Sequence, residues 1–430
     1  MTNQPIQNEN LIPEQPEEDV RAAPLFGKRK EPRKVSLAGA VFFALLLSVG
    51  TFLCAYVTMS AQTAAKLREM DGTYAKYAKM EALLKFIEEN YIRDYDDALL
   101  WENVYGAMFD SIGDPYSTYM TAEEYAQYAS DRTGNYVGIG ISVAYDQATG
   151  GAFVHRVTTD SPAAKAGLQP GDVVTAVEDL VLTEETYSQG LDLVRGEEGT
   201  SVKLTILRDG ESLQVDVVRG KMKTENVFYE KLEGNVAYIE IISFSEVVTY
   251  DQFASAQGKA KEDGCTSYVF DLRNNPGGSL DVICKCLDLL LPEGDIVHIV
   301  SADGKSESKK SDGEHFLDAP MTVLCNGNTA SAAELFTADL RDYGLATIVG
   351  ETTFGKGTMQ FISPLNDGSA VKITYRYYNP ASNVSYEGIG IKPDEGCEVV
   401  LTEEELNNFY KMTHEEDRQL QKALEVLLGK

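Results

Sequence analysis

One long apolar stretch dominates the hydropathy pattern near the start of the chain. Val35 to Met59 contains no charged residue over 25 positions. A helix of that length spans the roughly 30 Å hydrocarbon core of a bilayer. The pattern therefore predicts a transmembrane helix at 35–59. A cleaved signal peptide is the alternative, although the apolar region of a signal is shorter and the segment before it is usually briefer.

The charges before this stretch predict its orientation. Five basic residues precede it: Lys28, Arg29, Lys30, Arg33 and Lys34. Basic flanks stay in the cytoplasm, so everything after the span is expected outside the cytoplasm. Residues 1–34 would then be a cytoplasmic tail. This tail is polar and rich in proline, which predicts disorder.

Residues 60–130 show the spacing of helices. Apolar side chains recur every three or four positions, at Tyr77, Met80, Leu83, Leu84 and Ile87. Asp94 to Asp97 breaks the pattern, and Leu99 to Phe109 resumes it. Gly113 to Ser117 then reads as a turn, because glycine and proline flank an aspartate there. We interpret the whole stretch as a helical region.

Residues 131–220 change to short strands separated by turn residues. Gly138, Ile139, Gly140 and Ile141 form a glycine-bearing loop that runs into an alternating strand. Ser161 to Gly167 reads as a short capped helix that ends at glycine. Two strands, 201–207 and 213–218, flank Asp209-Gly210, which is a strong hairpin signal.

Residues 221–400 alternate strands with helices, an order typical of an α/β domain. The predicted strands are 236–241, 267–272, 321–325 and 347–349, and the predicted helices are 250–263, 280–291 and 331–343. Residues 401–430 are charged and read as a helical segment. The chain as a whole is therefore predicted to be an α+β multidomain protein.

Composition narrows the classes of function. The chain has 430 residues and a net charge of −29, which argues against a nucleic-acid partner because such a partner needs a basic face. The six cysteines show neither a Cys-x-x-Cys pair nor zinc-ligand spacing. We predict no metal and no cofactor.

Ser331, Lys356 and Gln360 are the candidates for chemistry. A serine hydroxyl needs a base to become a nucleophile. The four histidines, His155, His298, His315 and His414, do not stand near a Gly-x-Ser-x-Gly or His-Glu-x-x-His motif. A neutral lysine is the alternative base. Ser331 also begins a predicted helix, where its own N–H and that of Ala332 are unpaired first-turn donors.

Each of these residues also has an ordinary structural interpretation. Ser331-Ala332-Ala333-Glu334 is a capping box, in which the serine only caps the helix. Lys356 between two glycines is the usual pattern of a surface lysine in a turn. Gln360 fits the exposed face of a strand, and the loop at 271–278 fits a plain strand-to-helix turn.

These motifs together resemble the carboxyl-terminal processing (tail-specific) proteases, from about Tyr74 to Asp394. The resemblance rests on three motifs: the serine motif at 326–334, Gly355-Lys356-Gly357 with Gln360, and the loop at 271–278. This loop is similar to the family pattern DLRxNPGG. The serine motif departs from the family's Ser-Ala-Ser-Ala-Ser-Glu at Thr329 and Ala333. The segment Tyr386–Asp394 resembles the family's closing strand and turn.

The resemblance implies an endopeptidase with a Ser331–Lys356 dyad in a ClpP/crotonase-like core. Gln360 would orient the lysine amine, and Gly277 or Gly278 would share the oxyanion hole with Ala332. Residues 131–220 resemble a PDZ domain, which binds a free peptide C-terminus as an added strand, with the carboxylate at the loop 138–141. The helical region 60–130 would form a homodimer or cap the domain.

Two other functions compete with this interpretation. A non-catalytic PDZ scaffold or chaperone with a protease-like fold would be expected to have lost Ser331, Lys356 or Gln360, and all three are present. A trypsin-like PDZ protease would need a His–Asp pair upstream of a Gly-Asn-Ser-Gly-Gly motif, which the sequence lacks. The substrate and its pathway stay open at this point.

Overall fold

The computed structural model of the protein describes residues 36–131, 135–245 and 247–429. The predicted cytoplasmic tail, residues 1–34, and the first residue of the predicted span lie outside these ranges. Of the described residues, those from Ser36 to Tyr95 belong to one compact unit, and those from Asp96 onward belong to another.

A single helix, α1 (Leu37–Asn90), makes up most of the first unit. The Ser36 hydroxyl caps it by accepting a hydrogen bond from the Gly39 N–H at 3.1 Å. The segment Val41–Thr63 is apolar and long enough to cross a membrane, and a signal sequence has the same properties. The helix runs on without a break past Met59, although the sequence analysis treated 60–130 as a separate region.

The second unit opens with a helix–strand–helix segment: α2 (Asp97–Asp110), β1 (Thr118–Met120) and α3 (Ala122–Asp131). Asp96 caps α2 by accepting a hydrogen bond from the Leu99 N–H, which explains why the predicted break falls at the aspartates. The predicted turn at 113–117 joins α2 to β1. β1 itself was not predicted, since three residues carry little periodicity.

A small β domain with two short helices follows. Its elements are β2 (Asn135–Gly138), β3 (Ile141–Tyr145), β4 (Ala152–Val157), α4 (Pro162–Lys165), β5 (Val173–Val177), β6 (Leu180–Val181), α5 (Tyr187–Val194), β7 (Ser201–Arg208), β8 (Glu211–Val218) and β9 (Gly220–Lys223). The main sheet has the order β3-β4-β5-β7-β8, and β2 pairs with β9. The predicted hairpin is confirmed: Asp209 and Gly210 both have positive φ, as a tight turn between β7 and β8 requires.

The last domain holds two further sheets. Its elements are β10 (Val227–Leu232), β11 (Val236–Ile241), α6 (Val248–Glu262), β12 (Ser267–Asp271), α7 (Leu280–Asp288), β13 (Gly294–Ser301), β14 (Ser306–Ser311), β15 (Met321–Cys325), α8 (Ala332–Asp342), β16 (Ala346–Gly350), β17 (Thr358–Pro364), β18 (Ala370–Asn379), α9 (Glu403–Asn407), a 3-10 turn at Phe409–Lys411 and α10 (Arg418–Leu428).

The first of these sheets is the core of the domain. Its order is β10-β11-β12-β15-β16, and β11, β12, β15 and β16 run parallel. Helices cover both faces, as parallel sheets require. Phe253 of α6 and Phe336 of α8 are fully buried on one face, and Leu420 of α10 packs with Val269 and Leu324 on the other.

The second sheet was not foreseen from the sequence. It has the order β1-β18-β13-β14, with β17 also paired to β18, so the short strand from before the small β domain completes it. β14 reads Ser-Glu-Ser-Lys-Lys-Ser and has no hydrophobic alternation to signal a strand. The predicted strand within 386–394 is also absent: that segment forms a turn.

Candidate active site

Three loops meet at one edge of the parallel sheet. They follow β12, β15 and β16, which are neighbouring strands, and they carry Gly277 and Gly278, Ser331, and Lys356 respectively. The carboxyl ends of parallel strands lie at the same edge of a sheet, which is where open α/β sheets bind ligands. The topology therefore brings together residues that are far apart in the sequence.

Backbone hydrogen bonds hold these loops against each other. The Ala330 N–H donates to the Asn275 carbonyl at 2.9 Å, and the Phe354 N–H donates to the Thr329 carbonyl at 3.0 Å. Gly277 has φ of 93°, and a Cβ atom at this position would lie 2.6 Å from the Ala330 carbonyl oxygen. Only glycine permits this close approach of the first loop to the serine loop.

Ser331 immediately precedes α8 in an unusual conformation. Its φ and ψ are 57° and −119°, a region that non-glycine residues rarely adopt and that costs about 1–3 kcal/mol. Its Oγ accepts a hydrogen bond from the Tyr378 hydroxyl at 3.2 Å. The strained backbone presents the hydroxyl at the start of the helix, next to the Ala332 N–H, which has no acceptor among the described residues.

The buried Glu334 carboxylate connects the serine loop to the lysine loop. It accepts hydrogen bonds from the Ser331 N–H at 2.9 Å, the Thr353 hydroxyl at 2.5 Å, the Gly355 N–H at 2.6 Å and the Lys356 N–H at 2.7 Å. Burial raises the pKa of Glu334, and these donors offset part of that rise. The capping-box interaction of Glu334 thus coexists with the placement of Ser331 in a cavity.

Lys356 points into the same cavity as Ser331 but does not reach its hydroxyl. Its Nζ lies 4.1 Å from the centroid of the Tyr116 ring, a cation–π contact. Within residues 36–131, 135–245 and 247–429 this ammonium has no hydrogen bond, so it contacts neither Ser331 Oγ nor Gln360 in this way.

The surroundings of Lys356 lower the pKa of its amine. Burial is the largest cause, and the nearby Lys372 ammonium adds to it, whereas the carboxylates of Asp114, Glu387 and Glu334 act in the opposite direction. Both dominant effects destabilise the charged form. The amine is therefore more readily neutral than that of a surface lysine.

Gln360 lies on β17 and lines the same cavity. Its Nε2 donates to Thr374 Oγ1 at 3.0 Å and to Thr358 Oγ1 at 3.3 Å. The side chain is thus held by two threonine hydroxyls rather than by Lys356 in this state. The predicted glutamine–lysine bond requires the lysine to move off the tyrosine ring.

The two candidate glycines differ in what their N–H groups do. The Gly277 N–H already donates to Asn275 Oδ1 at 2.8 Å. In contrast, the N–H groups of Gly278 and Ala332 have no acceptor in the part of the chain that the structure describes. Gly278 and Ala332 are therefore the better pair of donors for a developing oxyanion.

One cavity of about 610 Å³ contains all six predicted catalytic and oxyanion residues. They are Gly277, Gly278, Ser331, Ala332, Lys356 and Gln360. The described part of the chain places no histidine in its wall. His155 instead stacks on Tyr410, 4.3 Å between ring centroids, and burial lowers its pKa to about 4.

Sequence reasoning missed several residues of this site. Tyr378 and Lys372 lie on β18, and Tyr116 lies in the turn before β1. The predicted turn at 113–117 contained Tyr116, whereas no predicted element contained Lys372 or Tyr378, and nothing local linked the three residues to Ser331. Glu334 was read only as a helix cap, and its bonds to the lysine loop depend on the tertiary fold.

The predicted peptide-binding loop lies apart from the cavity, in the small β domain. Gly138 ends β2, and the Ile139 and Gly140 carbonyls accept from the Ala163 N–H at 2.8 Å and the Thr158 N–H at 3.0 Å. Gly140 has φ of 80°, and a Cβ there would collide with Ser161. β3 pairs only with β4 in the described part of the chain, so its other edge is open to an added strand.

Models of known families match three parts of the chain. An activating protease CtpB N-terminal domain matches residues 42–124, a PDZ domain matches residues 136–218, and peptidase family S41 matches residues 235–396. The small β domain is therefore a PDZ domain, and the two-sheet domain is the peptidase.

Similar proteins cover most of the chain. A carboxy-terminal-processing protease of Bartonella bacilliformis is 34% identical over 86% of this chain and 88% of its own. Carboxy-terminal processing protease CtpA of Bacillus subtilis is 31% identical over 84% of this chain and 77% of its own.

A solved structure, a putative S41 protease from Bacteroides fragilis, shares the fold. It has a TM-score of 0.54 at 19% identity, and the match covers 75% of this chain and 90% of that one. The family itself follows from the relatives and the family models: the chain belongs to the carboxy-terminal processing proteases of peptidase family S41, serine-type peptidases that carry a PDZ domain.

Proposed function

We propose that the protein is a membrane-anchored endopeptidase that recognises substrate C-termini and cleaves peptide bonds by a Ser331–Lys356 dyad. The observation that supports the dyad is the shared cavity, which holds a serine with a strained backbone, a lysine of lowered pKa and two N–H groups that have no acceptor among the described residues. The domain boundaries proposed are 60–130 for the helical region, 131–220 for the PDZ domain, 221–400 for the core and 401–430 for the C-terminal helices.

In the proposed mechanism the neutral Lys356 amine takes the proton of Ser331 as Oγ attacks the scissile carbonyl carbon. The tetrahedral oxyanion accepts hydrogen bonds from the Gly278 and Ala332 N–H groups. The protonated lysine then gives the proton to the leaving amine, and the C–N bond breaks. Water, deprotonated by the same amine, hydrolyses the acyl-enzyme and releases the serine.

This mechanism requires Lys356 to leave the Tyr116 ring, since its Nζ sits over that ring in the resting arrangement. Gln360 lines the cavity and is the residue proposed to receive the amine after the movement. The position of Lys356 over the Tyr116 ring also fits a second function, a PDZ scaffold without activity, because the lysine does not bond the serine. Cleavage by the wild type and its loss in Ser331→Ala distinguish the peptidase from the scaffold.

The PDZ domain is proposed to add the substrate's C-terminal residues to the open edge of β3, with the carboxylate at Gly138–Ile141.

The peptidase is proposed to have a ClpP/crotonase-like arrangement, supported by a nucleophile at the start of a helix that follows a parallel strand. A crystal structure with a different strand order would refute that arrangement. Residues 60–130 act as a dimer contact or as a cap, which ultracentrifugation of the full chain distinguishes.

Ser331→Ala is expected to abolish cleavage, because no other group in the cavity replaces the nucleophile. The assay uses an unfolded test protein with either a free or an amidated C-terminus. The wild type should cleave the free form faster, whereas the variant should cleave neither. Ser279→Ala, at another serine of the cavity wall, should keep activity. Cleavage that survives in Ser331→Ala rules out the dyad.

The rate of cleavage is expected to rise with pH until Lys356 loses its proton, and then to level off. Because burial and Lys372 lower the pKa of Lys356, the rise should lie below the range of a free lysine, whose pKa is about 10.4. Lys356→Arg should be as inactive as Lys356→Ala, since arginine stays charged. A pH profile of kcat tests this, and an active Lys356→Arg enzyme contradicts it.

Glu334→Gln is expected to lower both stability and activity. An amide cannot accept all four donors and places its own N–H groups against them, so the free energy of unfolding should fall by about 3 kcal/mol. Denaturant unfolding and kcat measure the two effects. The control is Glu404→Gln, an exposed residue, which should change stability by less than about 0.5 kcal/mol. An equally small change in Glu334→Gln contradicts the connecting role of the carboxylate.

The orientation proposed for the membrane anchor is testable in intact cells. Protease added outside should digest the catalytic part, while an epitope within residues 1–34 stays protected, since the basic flank holds that end in the cytoplasm. Immunoblots against both ends read the outcome. A catalytic part that resists digestion until the membrane is opened reverses the proposed topology.

A further inference from the structure

A second lysine, Lys372, lies in the wall of the active-site cavity. It stands on β18, with Thr118 of β1 on one side and Ile362 of β17 on the other. Thr374 lies two positions further along β18, so its side chain shares a face of the strand with that of Lys372. Thr374 accepts from Gln360, and Lys372 lines the cavity together with Gln360 and Ser331, which places its side chain beside the proposed reacting groups.

Lys372 is half-buried, yet it has no carboxylate partner among the described residues. In the described ranges no Asp or Glu oxygen lies within 4.0 Å of its Nζ, and no hydrogen bond to that atom is present. Some other cations of the peptidase domain are paired, such as Lys309 with Asp281 and Arg376 with Glu307. The Lys372 ammonium on the cavity wall is thus available to an anionic group, in a chain whose net charge is −29.

The acidic groups near the cavity are already engaged elsewhere. Asp114 accepts from the Tyr116 N–H and the Ser117 hydroxyl, Glu387 accepts from the Gly357 N–H, and Glu334 accepts from four donors. Among the residues that the structure describes, the cavity wall therefore has two ammonium groups and no carboxylate. The mutual repulsion of Lys356 and Lys372 is consistent with this excess, because Lys372 lowers the pKa of Lys356.

We propose that Lys372 forms a subsite for a carboxylate of the bound substrate. The carboxylate is either an acidic side chain close to the scissile bond or the α-carboxylate of a short C-terminal tail. An ion pair here would replace part of the hydration that Lys372 loses at the cavity wall, and it would offset the repulsion that an acidic protein surface exerts on acidic peptides. The inference rests on the proposed function, since it assumes that the peptide binds beside Ser331.

The test uses internally quenched peptides that are amidated at the C-terminus and carry a single Glu or Gln at successive positions around the cleaved bond. The quantity measured is the ratio of kcat/KM for the Glu and Gln peptides, at a pH on the plateau of the profile. At one position the wild type should prefer Glu by about fivefold or more, as expected for a charge-assisted hydrogen bond at a half-buried site. A second series of peptides contains no Glu and has either a free or an amidated C-terminus. The ratio of kcat/KM for these two forms measures selection of the α-carboxylate.

Three variants make the result specific. Lys372→Met should bring the selected ratio to about one, and Lys372→Arg should keep it above one because the charge remains. Lys261→Met removes a charge from the exposed face of α6 and should keep the wild-type ratio. Thermal unfolding checks that each variant is folded. Lys372→Met should also shift the pH profile of kcat to higher pH, since Lys356 loses a like-charged neighbour and its pKa rises.

The outcomes separate this inference from the proposed dyad. If Ser331→Ala abolishes cleavage and the wild type shows no preference for Glu at any position or for a free end, the subsite is wrong and the dyad stands. An unchanged ratio in Lys372→Met has the same meaning. If Ser331→Ala still cleaves, the proposed dyad is wrong, whatever the ratios for the subsite show. The series whose ratio falls to about one in Lys372→Met, either the side-chain series or the free-end series, identifies which carboxylate the subsite binds.

Discussion

The active site depends on one buried carboxylate. Glu334 accepts four hydrogen bonds, two from the loop after β16 by its backbone, one from a threonine hydroxyl of that loop and one from the serine N–H. A buried carboxylate without such donors would be strongly destabilised, so the fold has to keep all four in place. That requirement fixes the spacing between Ser331 and the Lys356 backbone, whereas the Lys356 ammonium has no hydrogen bond among the described residues and lies over the Tyr116 ring.

The parallel sheet supplies the frame for this arrangement. Neighbouring strands end at the same edge, and the loops that follow them are joined by backbone bonds such as Ala330 to Asn275. Gly277 keeps the first loop tight against the second, while Gly278 and Ala332 retain N–H groups without acceptors in the described residues. Donors held in advance of the reaction need no reorganisation when negative charge develops, which is the main source of oxyanion stabilisation.

Local patterns predicted the parts of this molecule that local forces determine. The buried strands, such as Val236–Ile241 and Met321–Cys325, the hairpin at Asp209-Gly210 and the helix after Ser331 were all predicted from apolar runs and turn residues. The second sheet was missed, because the polar β14 gives no periodic signal. The contact between Tyr116 and Lys356 was also out of reach, since it depends on β1 pairing with β18 across the whole PDZ domain.

The pairing of β1 with β18 also constrains how the chain folds. Thr118 lies opposite Lys372, so 254 positions (372 − 118) separate partners in one sheet. The strand pairings of the PDZ domain, in contrast, close within residues 135–223. Because nearby contacts form sooner than distant ones, the PDZ domain is expected to fold as an early unit, and the Tyr116 wall of the cavity to form after it. Tyr116, which contacts Lys356, is thus synthesised early but is expected to reach its place late in folding.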